Sequence, residues 1–163
     1  MCGFMCVADA NIDMDMFERA FATLQVRGPD TTLIKNVKGG IMGFHRLAIM
    51  DLEESGMQPM EYHETQCVCN GEIYNYEYFK QELSNHISFH SGSDCEVLLP
   101  LWEKYHSAMF DMLDGEFAMV FYDHKQDEWI AARDPMGIRP MFYGYLKQSG
   151  KIAFASEMKA LIP

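Results

Sequence analysis

The sequence predicts an α+β fold in which antiparallel sheets are covered by helices. Strand-like segments come as hairpin-like pairs in each half of the chain, rather than alternating singly with helices as in a parallel βαβ sheet. Two of the helical segments carry one apolar face each. The 163 residues make one domain, residues 1–163, with 48% apolar and 13% aromatic side chains. That is enough to bury a core without staples and to exclude disorder as the main state.

Residues 2–8 are short and apolar and end at Asp9, which predicts a buried strand at the very N-terminus. Residues 13–24 place Phe17, Ala20, Phe21 and Leu24 on one helical face, with Asp13 and Asp15 in the first turn, where the helix dipole favours acids. Arg27-Gly28-Pro29-Asp30 breaks that pattern as a turn. Residues 31–37 and 41–50 read as strands separated by Gly39-Gly40. Residues 55–59 form a loop, and 65–69 a strand that ends at Asn70-Gly71. A helix is predicted over 76–83. Ser93 and Glu96 have capping-box spacing and open a second helix, whose face is Cys95, Leu98, Leu99, Trp102 and Tyr105. Pro100 inside it should kink it or shift its start. Strands then follow at 117–122, 129–133, 141–146 and 152–155, with a helical stub near Ser156.

Charge excludes several function classes. Thirteen basic against 24 acidic residues give a net charge of −11. Such a field repels phosphate backbones and anionic lipid, so neither nucleic acid nor a membrane surface is an expected partner. No apolar run has the length of a spanning helix, and the N-terminus lacks the basic and apolar regions of a signal peptide. Five cysteines, an odd number without a secretion signal, suggest reduced thiols and a cytoplasmic location. The spacings at Cys2, Cys6, Cys67 and Cys69 match no strong zinc pattern, and no metal site is expected.

The chemistry starts at Cys2. Removal of Met1 would place a thiol beside a free α-amine whose ordinary pKa of about 7.7–8.0 lets it act as a base near neutrality. That pairing is the self-contained activated nucleophile of N-terminal-nucleophile enzymes. The Asn70 amide and the Gly71 N–H can together donate to a developing oxyanion. Arg46, inside an otherwise apolar strand, suits a carboxylate, and Glu72 and Asp94 suit an ammonium. Each group also has a plain structural reading: a small strand residue, a hairpin turn, a salt bridge, solvated or helix-start charge. Together they describe a site for a zwitterionic amino acid with an amide to cleave.

The motifs Met1-Cys2-Gly3, Arg27-Gly28-Pro29-Asp30, His45-Arg46-Leu47-Ala48-Ile49, Gly56-Met57-Gln58-Pro59 and Asn70-Gly71-Glu72-Ile73-Tyr74-Asn75 occur in that order. Ser91-Gly92-Ser93-Asp94-Cys95-Glu96, Leu113-Asp114-Gly115-Glu116-Phe117-Ala118, the run from Ala132 to Pro140 and Ala155-Ser156-Glu157 complete the set. In this ordered set, spanning essentially the whole chain, the sequence resembles the class II glutamine amidotransferase domain of glutamine-hydrolysing asparagine synthetases.

The resemblance implies a four-layer αββα sandwich of two antiparallel sheets, of the Ntn-hydrolase type. It implies that Cys2 attacks the L-glutamine carboxamide, that Asn70 and Gly71 hold the oxyanion, and that a γ-glutamyl thioester is hydrolysed to glutamate. Arg46 would take the substrate α-carboxylate, Glu72 and Asp94 its α-ammonium, and the backbone around Leu47 and Ile49 would line the pocket. The loop from Arg133 to Pro140 matches too and reads as architecture, with Pro135 and Gly137 setting a tight turn. No cofactor is implied for this step. ATP and magnesium would belong to a synthetase domain that receives the ammonia and is absent from these 163 residues; Ser91-Gly92-Ser93-Asp94 lacks the paired glycines of its pyrophosphate loop. A homodimer is a candidate assembly. Two other functional readings stay open: a non-catalytic glutamine-binding scaffold that keeps Met1, and a glutaminase serving a different acceptor enzyme.

Overall fold

A computed structural model describes residues 1–162. β1 (Gly3–Val7) is followed by α1 (Met14–Ala22), a 3-10 turn (Gln25–Arg27), and the hairpin of β2 (Thr31–Val37) and β3 (Gly40–Arg46). Next come β4 (Met60–Tyr62), β5 (Thr65–Ile73) and α2 (Tyr76–Leu83). A 3-10 turn (Asp94–Val97) then leads into α3 (Leu98–Tyr105). The chain ends with β6 (Gly115–Asp123), β7 (Glu128–Arg133), β8 (Phe142–Tyr145), β9 (Ile152–Ala155) and a 3-10 turn (Met158–Leu161). The strands form a five-stranded sheet of order β2-β3-β1-β9-β8 and a four-stranded sheet of order β4-β5-β6-β7. Every pairing is antiparallel.

Strand alternation builds four layers. Because successive side chains point to opposite faces, each buried strand serves two cores. Met5 and Val7 of β1 join Ile41 and Ala153 against Phe17 and Phe21 of α1, on the outer face of the larger sheet. Phe4 and Cys6 face the other way, meeting Met42 and Phe44 of β3 and Val68, Ala118 and Val120 of the second sheet. Cys67, Cys69, Phe117 and Met119 then pack outward against Phe79 of α2 and Leu98, Leu101 and Trp102 of α3. The result is the predicted αββα sandwich, with a mainly apolar seam between the sheets.

Several local expectations give way to tertiary context. β5 runs through Asn70-Gly71 to Ile73, paired residue for residue with β6 as Asn70↔Ala118 and Gly71↔Phe117, so this dipeptide is strand and not turn. β3 stops at Arg46 instead of reaching Met50. Ser93 does cap the helical segment, its Oγ accepting from Cys95 N, but no capping box forms. The Glu96 carboxylate instead accepts from His90 N, Ser91 N and Ser91 Oγ. Pro100 shifts the start of the helix, as expected. The first turn is 3-10, α3 begins only at Leu98, and Pro100 sits third in it, where its missing N–H has no intrahelical acceptor to lose.

Candidate active site

The open end of the inter-sheet seam is where the candidate residues gather. Cys2 continues the face of Phe4 and Cys6, Arg46 that of Met42 and Phe44, and Asn70 and Glu72 that of Val68, so period-2 alternation delivers all four to one place. A cavity of about 130 Å³ lies there, and Cys2, Arg46, Leu47, Ile49, Asn70, Gly71, Glu72 and Asp94 all line it. All eight predicted site residues therefore share one cavity. Met1, Asp51 and Arg139 contribute to its walls as well.

Cys2 is half-buried, and its thiol is held by the chain just beyond β3. Leu47 N–H donates to Cys2 Sγ at 3.4 Å, and the thiol lies 3.6 Å from Leu47 O, to which it can donate. The backbone of Cys2 is also fixed, because Arg27 Nε donates to Cys2 O at 2.9 Å while Arg27 Nη1 pairs with Glu157 Oε1 at 2.9 Å. The turn motif that reads as a mere chain reversal thus braces Cys2. Gly28 lets it approach, since a Cβ there would stand 2.1 Å from His45 O. Asp30 N donates to Arg46 O and Asp30 Oδ2 accepts from Ala48 N, which fixes the exit of β3. Sequence reasoning missed Arg27 because its partner lies 25 residues away in the chain.

Two hydrogen-bond donors in the cavity are unspent. Asn70 is buried, yet its Nδ2 has no partner among the described residues. The Gly71 N–H is free for a topological reason. Phe117 N donates to Asp134 Oδ2 and Phe117 O accepts from Asp134 N, so Phe117 turns its polar groups away from β5. Its register partner Gly71 must then point its own N–H toward the outer edge of β5. On that edge Cys69 N is capped by Gln58 Oε1 and Ile73 N by Asp94 Oδ2, both at 2.6 Å. Gly71, between them, has no such acceptor among the described residues. A buried donor such as Asn70 Nδ2 is rarely left unpaired, and with the half-buried Gly71 N–H beside it the pair can receive an acceptor. Glycine is required at 71, because a Cβ would stand 2.5 Å from Glu116 O and 2.8 Å from Phe117 Cα.

The charged residues are arranged around these donors. Arg46 is buried and donates through Nη1 to Glu53 O at 2.6 Å and through Nη2 to Asp51 O. It makes no ion pair with a carboxylate among the described residues, so the salt-bridge reading of Arg46 does not hold. A buried guanidinium whose neighbouring carboxylate, Asp51, is not in ion-pair contact can still receive an anion. Asp94 is buried and spends one oxygen on Ile73 N, and half-buried Glu72 makes no ion pair among the described residues.

The Arg133–Pro140 motif is architectural in part. Gly137 takes the left-handed φ of +66° that the tight turn needs, and buried Asp134 accepts from Phe117, Ile138 and Arg139 N–H groups, which hold its carboxyl below the usual range against the cost of burial. Arg139 goes further than architecture, since it reaches the cavity wall and pairs with Glu116. The loop 90–92 offers no phosphate cradle. Its N–H groups are occupied by the Glu96 and Asp51 carboxylates. The Cys6 and Cys67 thiols are pushed up by burial.

Comparison with known proteins identifies the family. A family model described as "Glutamine amidotransferase domain" matches residues 1–163. A probable glutamine-hydrolysing asparagine synthetase of Acanthamoeba polyphaga mimivirus is 39% identical over 170 residues, covering 99% of this chain and 30% of the relative. Asparagine synthetase [glutamine-hydrolyzing] 2 of Arabidopsis thaliana is 39% identical, covering 99% of this chain and 28% of the relative. Asparagine synthetase B of Escherichia coli (strain K12) is 36% identical, covering all of this chain and 30% of the relative. The chain thus spans about three-tenths of the length of these relatives. With its full-length family match and its two-sheet sandwich, the chain belongs to the glutamine amidotransferase domain family.

Proposed function

We propose that this domain hydrolyses L-glutamine to L-glutamate and ammonia, with Cys2 as its N-terminal nucleophile. The observation that carries the reading is the pair of unspent donors, Asn70 Nδ2 and Gly71 N–H, in the same cavity as the Cys2 thiol. Removal of Met1 frees the Cys2 α-amine to take the thiol proton, and it also removes a side chain that lines the cavity and contacts Arg139. The sulfur then attacks the carboxamide carbon, and the two donors bind the oxyanion that forms. Collapse of this intermediate breaks the C–N bond, and ammonia leaves with the proton held by the α-amine. Water attacks the γ-glutamyl thioester, releasing glutamate and restoring the thiol. Arg46 binds the substrate α-carboxylate, Glu72 and Asp94 bind its α-ammonium, and the chain at Leu47 and Ile49 closes the pocket.

This step needs no cofactor. The ammonia is consumed by an ATP- and magnesium-dependent synthetase part that makes asparagine from aspartate; the support is that the relatives are more than three times as long as this chain and are named glutamine-hydrolysing asparagine synthetases. The test is glutamate release from glutamine by the Met1-processed chain. Turnover that disappears in Cys2→Ala supports the reading. A processed chain without turnover, or turnover that survives Cys2→Ala, overturns it.

A further inference from the structure

We propose that Asp51 is a positioning residue that ties the carboxylate anchor of the site to its ammonium anchor, a role that rests on the glutamine reading above. Asp51 uses both of its ends. Its main-chain carbonyl accepts from Arg46 Nη2, so it helps to aim the guanidinium. Its side chain reaches across to the other loop, where Asp51 Oδ2 accepts from Gly92 N at 2.9 Å. Gly92 lies two residues before Asp94 and 41 residues from Asp51. Within its own loop Asp51 also accepts from Glu53 N at 3.0 Å and Ser55 Oγ at 3.3 Å. These bonds hold its carboxyl below the usual range, as does the nearby Arg46 charge.

The loop depends on such bonds because apolar burial does not hold its outer limb. Ile49 and Leu52 are 70% and 79% exposed. The knot is also closely packed. A Cβ on Gly56 would stand 2.5 Å from Arg46 Nη2 and 3.0 Å from Asp51 Oδ2, so any side chain there displaces both groups. Two substrate anchors on separate segments bind a zwitterion well only at a fixed separation, and Asp51 bonds to Arg46 and to the segment that leads into Asp94.

The experiment uses the processed chain with Asp51→Ala, Asp51→Asn and Gly56→Ala. It reads KM and kcat for glutamine, together with amide exchange at Gly92 in the absence of glutamine. Asp51→Ala should raise KM about tenfold with kcat held within about twofold, because the lost interaction is shared by ground and transition states. Gly92 exchange should accelerate in parallel. Asp51→Asn, which keeps one acceptor oxygen, should recover part of the affinity. Gly56→Ala should raise KM without removing any hydrogen-bonding group. Unchanged KM in Asp51→Ala overturns the inference, as does an equal fall of kcat and kcat/KM. A parent chain without glutamine turnover overturns the functional reading instead. Unchanged Gly92 exchange in Asp51→Ala then overturns the link between the loops by itself.

Discussion

Replacing Asn70 by leucine should separate function from stability. The substitution keeps side-chain size and removes the amide, whose Nδ2 is buried without a partner. A buried donor left unpaired costs about 1–3 kcal/mol, so the native fold carries that penalty at Asn70 and Asn70→Leu relieves it. Leucine also continues the apolar face of Val68 into the seam. The variant should therefore unfold at the same urea midpoint or a higher one, read by the fluorescence of Trp102 and Trp129. Catalysis should move the other way. Loss of one oxyanion donor lowers kcat about 10²–10³-fold, or roughly 2.7–4 kcal/mol, and Gly71 N–H sustains the remainder. KM should change little, because the oxyanion exists only in the transition state. If Asn70→Leu loses more than about 1 kcal/mol of stability while keeping its turnover, the amide is structural and the reasoning is refuted.

Three further outcomes follow from named contacts. Arg27→Met keeps the stem that packs on Gly3 but loses the bonds to Cys2 O and Glu157, so kcat should fall about 10–100-fold at steady KM; an unchanged kcat would show that the brace on Cys2 is immaterial. Gly28→Ala drives a Cβ to 2.1 Å from His45 O and should cost about 3 kcal/mol or prevent folding, as judged by circular dichroism and urea unfolding. His45 is buried and stacked on Phe21, with its ring nitrogens at Thr32 Oγ1 and Phe21 O, and burial holds its pKa below the ordinary 6.5. Unfolding therefore takes up a proton, so the stability due to neutral His45 is complete above pH 6.5 and is lost as pH falls toward the folded-state pKa, by up to about 1.4 kcal/mol per pH unit. A His45→Gln chain should show a shallower acid limb in urea titrations.

Elements whose apolar period is self-evident were legible in the sequence. α1 follows from the apolar face of Phe17 and Phe21, the β2–β3 pair from two strand-like runs parted at Gly39-Gly40, and β6–β7 from the runs at 117–122 and 129–133. The candidate residues Cys2, Arg46, Asn70 and Asp94 were each ambiguous as residue types and were singled out by the ordered family motifs; the structure gathers them on one cavity. Where reading failed, a distant partner overrode a local signal. Asn70-Gly71 has hairpin chemistry, but pairing with Ala118 and Phe117 keeps it extended. Three-residue β4 is too short to show a period. Glu96 has capping-box spacing, but its carboxylate goes to His90 and Ser91 instead. Arg27 and Asp51 act through bonds that cross 25 and 41 residues of chain, which no local pattern encodes.

The central claim is that Cys2, with its own α-amine free, is a nucleophile aimed at a glutamine pocket. The intact mass of the chain after incubation with an electrophilic glutamine analogue tests it directly. A species one methionine lighter that carries a single adduct is expected, with no adduct in Cys2→Ala. A processed chain that stays unmodified, or an adduct that persists in Cys2→Ala, would contradict it.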